Sequence, residues 1–280
     1  MTSPSPWSWN LEPVAIVALL LLLGGYLWAA SRVERETHRS RRTAAFVAGW
    51  LTLALTVLSP LDTVGRHYLV FAREAQLFVI ITVVAPLLML GVSDELMARL
   101  IPLESLRRGL SRTRFTVTAV VFFNLIILIW QIPRLVDSAA TNAVVHDLQF
   151  VFWLIAGVLD WWPLLTPLRR EARLARMTQV LYLAVESVPL DAFGVFLLFA
   201  QQPIYPVYAL VPRLWGISAM LDQQLAGALV AVPGNIIDFF LMSLAFFGWI
   251  HQQEQAQIER ENAEHLEELR DLQGEPGQGA

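Results

Sequence analysis

Seven apolar stretches, at roughly 12–31, 43–59, 68–91, 115–132, 144–166, 178–200 and 222–250, leave this chain few ways to fold. An α-helix of about 20 residues, rising about 1.5 Å per residue, covers the roughly 30 Å of hydrocarbon in a bilayer. Lipid offers no partner to backbone polar groups, so a spanning segment must be helical. The short alternating segments of a membrane β-barrel are absent. Seven spans and their connections use up most of the 280 residues, which leaves no room for a separate soluble domain. Composition agrees: 56% of residues are hydrophobic, 16% are charged and mean hydropathy is +0.53. The expected fold is all-α, a polytopic membrane bundle of seven transmembrane helices over residues 1–250. Residues 251–280 are expected to form a cytoplasmic helical extension and a disordered tail.

The arginines orient this bundle. All 20 basic residues are arginine, and 16 of them fall in alternate gaps or after the last stretch. These are Arg32, Arg35, Arg39, Arg41 and Arg42; Arg99, Arg107, Arg108, Arg112 and Arg114; Arg169, Arg170, Arg173 and Arg176; and Arg260 and Arg270. The other gaps hold Arg66, Arg134 and Arg213, and Arg73 lies inside a stretch. Basic loops stay in the cytoplasm, so the bias predicts an external N-terminus and a cytoplasmic C-terminus. The first apolar run has no basic segment before it and is too long for a signal peptide, so a retained helix is expected. Trp7 and Trp9 suit an interfacial anchor, as do Trp161 and Trp162 on the inner side. The loop 92–114 reads as an amphipathic helix on a membrane surface rich in anionic headgroups, and membrane lipid is an expected partner. Loop 201–221, rich in Pro, Tyr and Trp, is expected to pack onto the helix ends, and Pro233-Gly234 to kink the last helix. Asp62 is read as a cap after the Pro60 turn. The chain has no cysteine, which excludes disulfides and thiolate-bound metals. No phosphate loop or repeat is present, and no nucleic-acid partner is expected.

Polar residues inside the stretches carry the functional signal, because ionisable groups in hydrocarbon cost a few kcal/mol or more unless paired or hydrated. Arg73, Glu74 and Gln76 lie near the outer end of the third stretch, Gln131 at the end of the fourth, and His146, Asp147 and Gln149 at the start of the fifth. Asp191 lies in the outer half of the sixth, and Asp222, Gln223 and Gln224 open the seventh. Together these predict one outward-facing polar pocket. Arg73 and Glu74, adjacent and so about 100° apart on a helix, are expected to face different partners. Glu186, Asp160 and Asp238 lie deeper. Three readings are open for the pocket: packing alone, a partner or ligand site, or an ion site. His146 is the one weak candidate for a metal ligand, because no pair of histidines has ligand spacing. No catalytic residue, enzyme activity or confident cofactor is expected, since no nucleophile and base pair up.

Several motifs occur in order: Ser59-Pro60-Leu61-Asp62, Ala85-Pro86-Leu87-Leu88 with Gly91, Trp130-x-x-Pro133, Trp161-Trp162-Pro163, Tyr205-Pro206-x-Tyr208, and Asp222-Gln223-Gln224-Leu225-Ala226-Gly227 with Pro233-Gly234. In this the chain resembles the CtaG family of seven-helix cytochrome c oxidase assembly proteins over about residues 10–250. The resemblance implies a multi-pass protein of the bacterial plasma membrane. It also implies a role in assembling a haem–copper oxidase of the respiratory chain, oxidase subunits as partners, and copper as a possible ligand. Relatives carry intramembrane histidines where this chain has Arg73, Leu77, Gln131 and Phe150, and a methionine where it has Val230. The expectation is therefore a divergent member that acts through protein–protein contacts. The alternative is a transporter or receptor-like protein that binds an anionic ligand at Arg73.

Overall fold

The computed structural model describes residues 4–33, 39–100, 113–166 and 174–273, and every regular element among them is helical. Five helical segments are long and apolar enough to cross a membrane: Pro13–Ser31, Val70–Leu90, Ala143–Leu165, Arg176–Phe199 and Ala219–Leu269. The second and fourth apolar stretches meet that standard only with the short helices they bend into, by 48° and 67°.

The breaks follow from proline and from helix ends. Helix α1 is Pro13–Ser31, and α2 (Arg39–Leu58) turns into α3 (Pro60–His67) at Ser59. Pro60 has no N–H to continue the α2 ladder, and Ser59 Oγ accepts from the Leu61 N–H at 3.3 Å. Ser59 is thus the cap expected of Asp62, whose side chain turns into the bundle instead. The third span is α4 (Val70–Val79), a π-turn at Ile80–Val84 and α5 (Ala85–Leu90). After α6 (Asp94–Leu100) come α7 (Thr113–Trp130) and α8 (Pro133–Thr141), then α9 (Ala143–Leu165). The sixth stretch is two helices, α10 (Arg176–Glu186) and α11 (Val188–Phe199), broken at Ser187 just before Pro189. Helix α12 is Pro206–Leu210. The last span is α13 (Ala219–Ala231) and α14, interrupted at Val232, and α14 runs unbroken from Pro233 to Gln273. The amphipathic reading of 92–114 reaches the described residues only in α6, and the tail from 274 lies outside them.

The third span is the centre of the bundle: 61% of its most apolar window is buried, against 11–39% for the other four segments that meet the standard by themselves. That position explains how it tolerates Arg73, Glu74 and Gln76, all three of which lie on its buried part. The hydrophobic core runs through Ile80, Val84, Leu96, Ile127 and Trp153. Leu20, Leu21, Val117, Phe122, Phe239 and Phe247 face outward and exposed, an apolar belt that acyl chains would cover. Where α11 crosses α13 the backbones touch. A Cβ on Gly227 would lie 2.6 Å from both Gly194 O and Leu198 N, so a small residue is required there.

Candidate functional site

Arg73 is one turn into α4 and only 3% exposed, and every one of its five N–H groups has an acceptor. Nη1 donates to Glu74 Oε1 at 2.5 Å and to Gln131 Oε1 at 2.7 Å. Nη2 donates to the Trp130 carbonyl at 2.7 Å and to Gln149 Oε1 at 3.1 Å, and Nε also reaches Gln149 Oε1 at 3.3 Å. Gln131 closes the ring by donating from Nε2 to Glu74 Oε2 at 2.9 Å. The guanidinium lies over the face of Trp153, 5.1 Å from the ring centroid. Trp130 ends α7, so its carbonyl has no partner within the helix; Arg73 is its cap, supplied from another span. Arg73 and Glu74 do pair, contrary to the expectation from their 100° separation. That angle fixes where Cβ atoms point, whereas the arginine side chain is long enough to curl its tip back.

A second polar group adjoins the first. Asp62 accepts from Asn10 Nδ2 at 2.8 Å and from Gln76 Nε2 at 3.0 Å, and His146 Nε2 lies 3.0 Å from its Oδ1. Gln76 Nε2 also donates to the Thr56 carbonyl at 2.8 Å. Gly65 lets α3 approach this set: a Cβ there would stand 2.5 Å from Gln76 Oε1. Tyr208 donates from its hydroxyl to the Gly65 carbonyl, and Tyr205 to the Gln131 carbonyl at 3.2 Å. Burial pushes both phenols above the ordinary tyrosine range, so they stay protonated donors.

The expected pocket residues do not all meet. Arg73, Glu74, Gln131 and Gln149 form one network, and Gln76 and His146 belong to the second one, around Asp62 beside it. Asp222 is a cap: its carboxylate accepts from the Val70 and Phe71 N–H groups at 2.8 and 2.9 Å, at the start of α4. Gln223 fastens the loop below residue 205, accepting from Ile204 N–H at 2.6 Å and donating to the Gln202 carbonyl at 3.2 Å. Gln224 is half-buried on the next position of α13. Asp147 points instead into an apolar groove beside α1. Asp191 lies apart, with Glu186, Asp160 and Asp238 around a cavity of about 70 Å³ that Glu74 also lines. Glu74 is therefore where the two polar regions touch.

Sequence reasoning missed several members. Asp62 is one: Ser59 already supplies the cap, and two capping residues for one helix start are the signal in the sequence. Trp161 and Trp162 were expected at an interface, but Trp162 is 8% exposed and Trp161 Nε1 donates to the Ile81 carbonyl at 2.9 Å. That carbonyl would bond residue 86 in the π-turn, and Pro86 has no N–H to give, so the indole replaces the missing donor.

Copper does not fit these residues. Its preferred donors are clustered imidazole and thioether groups, and here a guanidinium, two amides and a carboxylate fill the centre. The Arg73 guanidinium also puts a permanent positive charge among them, which disfavours a metal cation. No group of three or more His, Cys, Asp or Glu among the described residues is placed to hold a metal.

Comparison with curated proteins and with solved structures finds no match for the chain. A protein family does match: the family described as cytochrome c oxidase caa3 assembly factor covers residues 24–252, from the later part of α1 to the end of the apolar part of α14. The broken central helices, the motifs that cap them and this match agree, and the chain belongs to the cytochrome c oxidase caa3 assembly factor (CtaG) family.

Proposed function

We propose that this protein assists the assembly or stability of a haem–copper oxidase in a bacterial plasma membrane, through contacts with oxidase subunits and without catalysis. Family membership supports the task. The observation that bears on the mechanism is the saturation of Arg73, whose five N–H groups are all committed within the bundle. A centre so committed serves as a rigid scaffold. An anion arriving at Arg73 would have to displace Glu74, so the transporter reading has no free donor in its favour. Copper handling is not part of this proposal, because the donor set does not fit the ion.

The test is co-purification with oxidase subunits, together with the content of assembled oxidase in membranes lacking the gene. The tagged chain is expected to carry oxidase subunits, and removal of 92–114 or 251–280 to weaken that association. Unchanged oxidase content in the deletion strain, with no subunit co-purified, would sink the assembly reading. Stoichiometric copper that is lost in His146→Ala would overturn the metal-free mechanism while leaving the assembly role standing.

A further inference from the structure

We propose that the groove between α1, α2 and α9 seats one aminophospholipid, with an acyl chain along its floor and the headgroup ammonium on Asp147. The groove encloses about 260 Å³. Its floor is Ala15, Leu19, Leu53, Val57 and Phe150, all buried, and its walls include the exposed Val14, Ala18 and Val151. Asp147 is the one charged residue of the lining and stands at one end, in the first turns of α9. Helix α1 begins at the same end, and its groove positions run from Val14 to Leu22. Eight residues at 1.5 Å each make the groove about 12 Å long, close to the roughly 15 Å that one leaflet contributes to the hydrocarbon. That length and an apolar floor fit one acyl chain.

The charge at the mouth selects the headgroup. Asp147 makes no hydrogen bond or ion pair with any described residue, although it is half-buried. The groups acting on it are Glu12, His146, Arg66 and Asp62. Of these, His146 faces Asp62 at 3.0 Å, and Arg66 donates to Glu12 at 2.9 Å and to the Ala140 carbonyl at 3.3 Å. Arg66 and His146 thus have partners already, and among the described residues none is left to pair with Asp147, which is open to a cation from outside. An ethanolamine headgroup supplies three N–H donors and a positive charge. A glycerol headgroup supplies neither, and its phosphate would meet the carboxylate unscreened.

The experiment is native mass spectrometry of the full, delipidated protein titrated with phosphatidylethanolamine or phosphatidylglycerol. One phosphatidylethanolamine per chain is expected, preferred roughly ten-fold, as for a hydrogen bond to a charged group. Asp147→Asn should bring the two lipids to parity. Ala18→Trp, at an exposed wall position, should fill the groove and abolish the tight site without disturbing the core. Equal binding of both lipids by the unaltered protein would overturn the proposal, as would a preference that survives Asp147→Asn. Saturation of the groove by a co-purified protein segment, displaced by neither lipid, would also overturn it.

Discussion

Arg73 and Glu74 are each nearly inaccessible, so neither charge is tolerable without the other. Arg73→Leu leaves a carboxylate buried with only Gln131 to donate to it, and the cost of breaking such a pair is about 3–5 kcal/mol. Glu74→Leu should cost a similar amount. Arg73→Leu combined with Glu74→Leu removes both charges and should be milder than the sum, because the two effects share one cause. Thermal unfolding in detergent of the four proteins in this cycle measures it, and additive losses would show that the pair is not coupled. The residue types of this network were legible in the sequence, since charges inside an apolar stretch stand out. Their partners were not. An arginine tip can reach many positions, and only the packed neighbours, with Trp153 beneath and the end of α7 beside it, decide which one it takes.

At the scale of elements, the motifs act as repairs to broken helices. Pro86 deprives the Ile81 carbonyl of a donor and Trp161 supplies one; the end of α7 leaves the Trp130 carbonyl free and Arg73 takes it; α4 starts without a cap and Asp222 provides it. Two tryptophan substitutions test this. Trp161→Phe leaves the Ile81 carbonyl unsatisfied and should lower stability by about 1–3 kcal/mol. Trp153→Phe should be gentler in comparison, because Trp153 Nε1 has no hydrogen-bond partner among the described residues and a phenyl face still meets the guanidinium. The reverse order in thermal unfolding would remove the capping explanation. A third substitution, Gly227→Ala, pushes a methyl into the Gly194 carbonyl and should separate α11 from α13, also lowering the unfolding temperature. The apolar stretches and most of their ends were readable from hydropathy. The π-turn and the break at Ser187 were not, because the apolar pattern continues across both and only the three-dimensional fate of each carbonyl distinguishes them.

For the whole molecule, the polar residues of five spans fasten elements to one another, and the apolar belt faces outward. This arrangement is the same whichever way the bundle sits in the membrane, so orientation rests on the arginines alone. An odd number of spans puts the two termini on opposite faces. Sixteen arginines in the gaps shared with the C-terminus, against three in the others, predict a cytoplasmic C-terminus. The chain has no cysteine, so single cysteines report topology without background. Gln201, in the loop before α12, and Gln255, on α14 beyond the apolar part, are both exposed and suit the purpose. A membrane-impermeant maleimide should label Gln201→Cys in spheroplasts and leave Gln255→Cys unlabelled until the membrane is permeabilised. The opposite pattern would invert the bundle, and with it the side to which α14 projects. Labelling of both positions without permeabilisation would mean that the last helical segment, the one candidate span between them among the described residues, fails to cross.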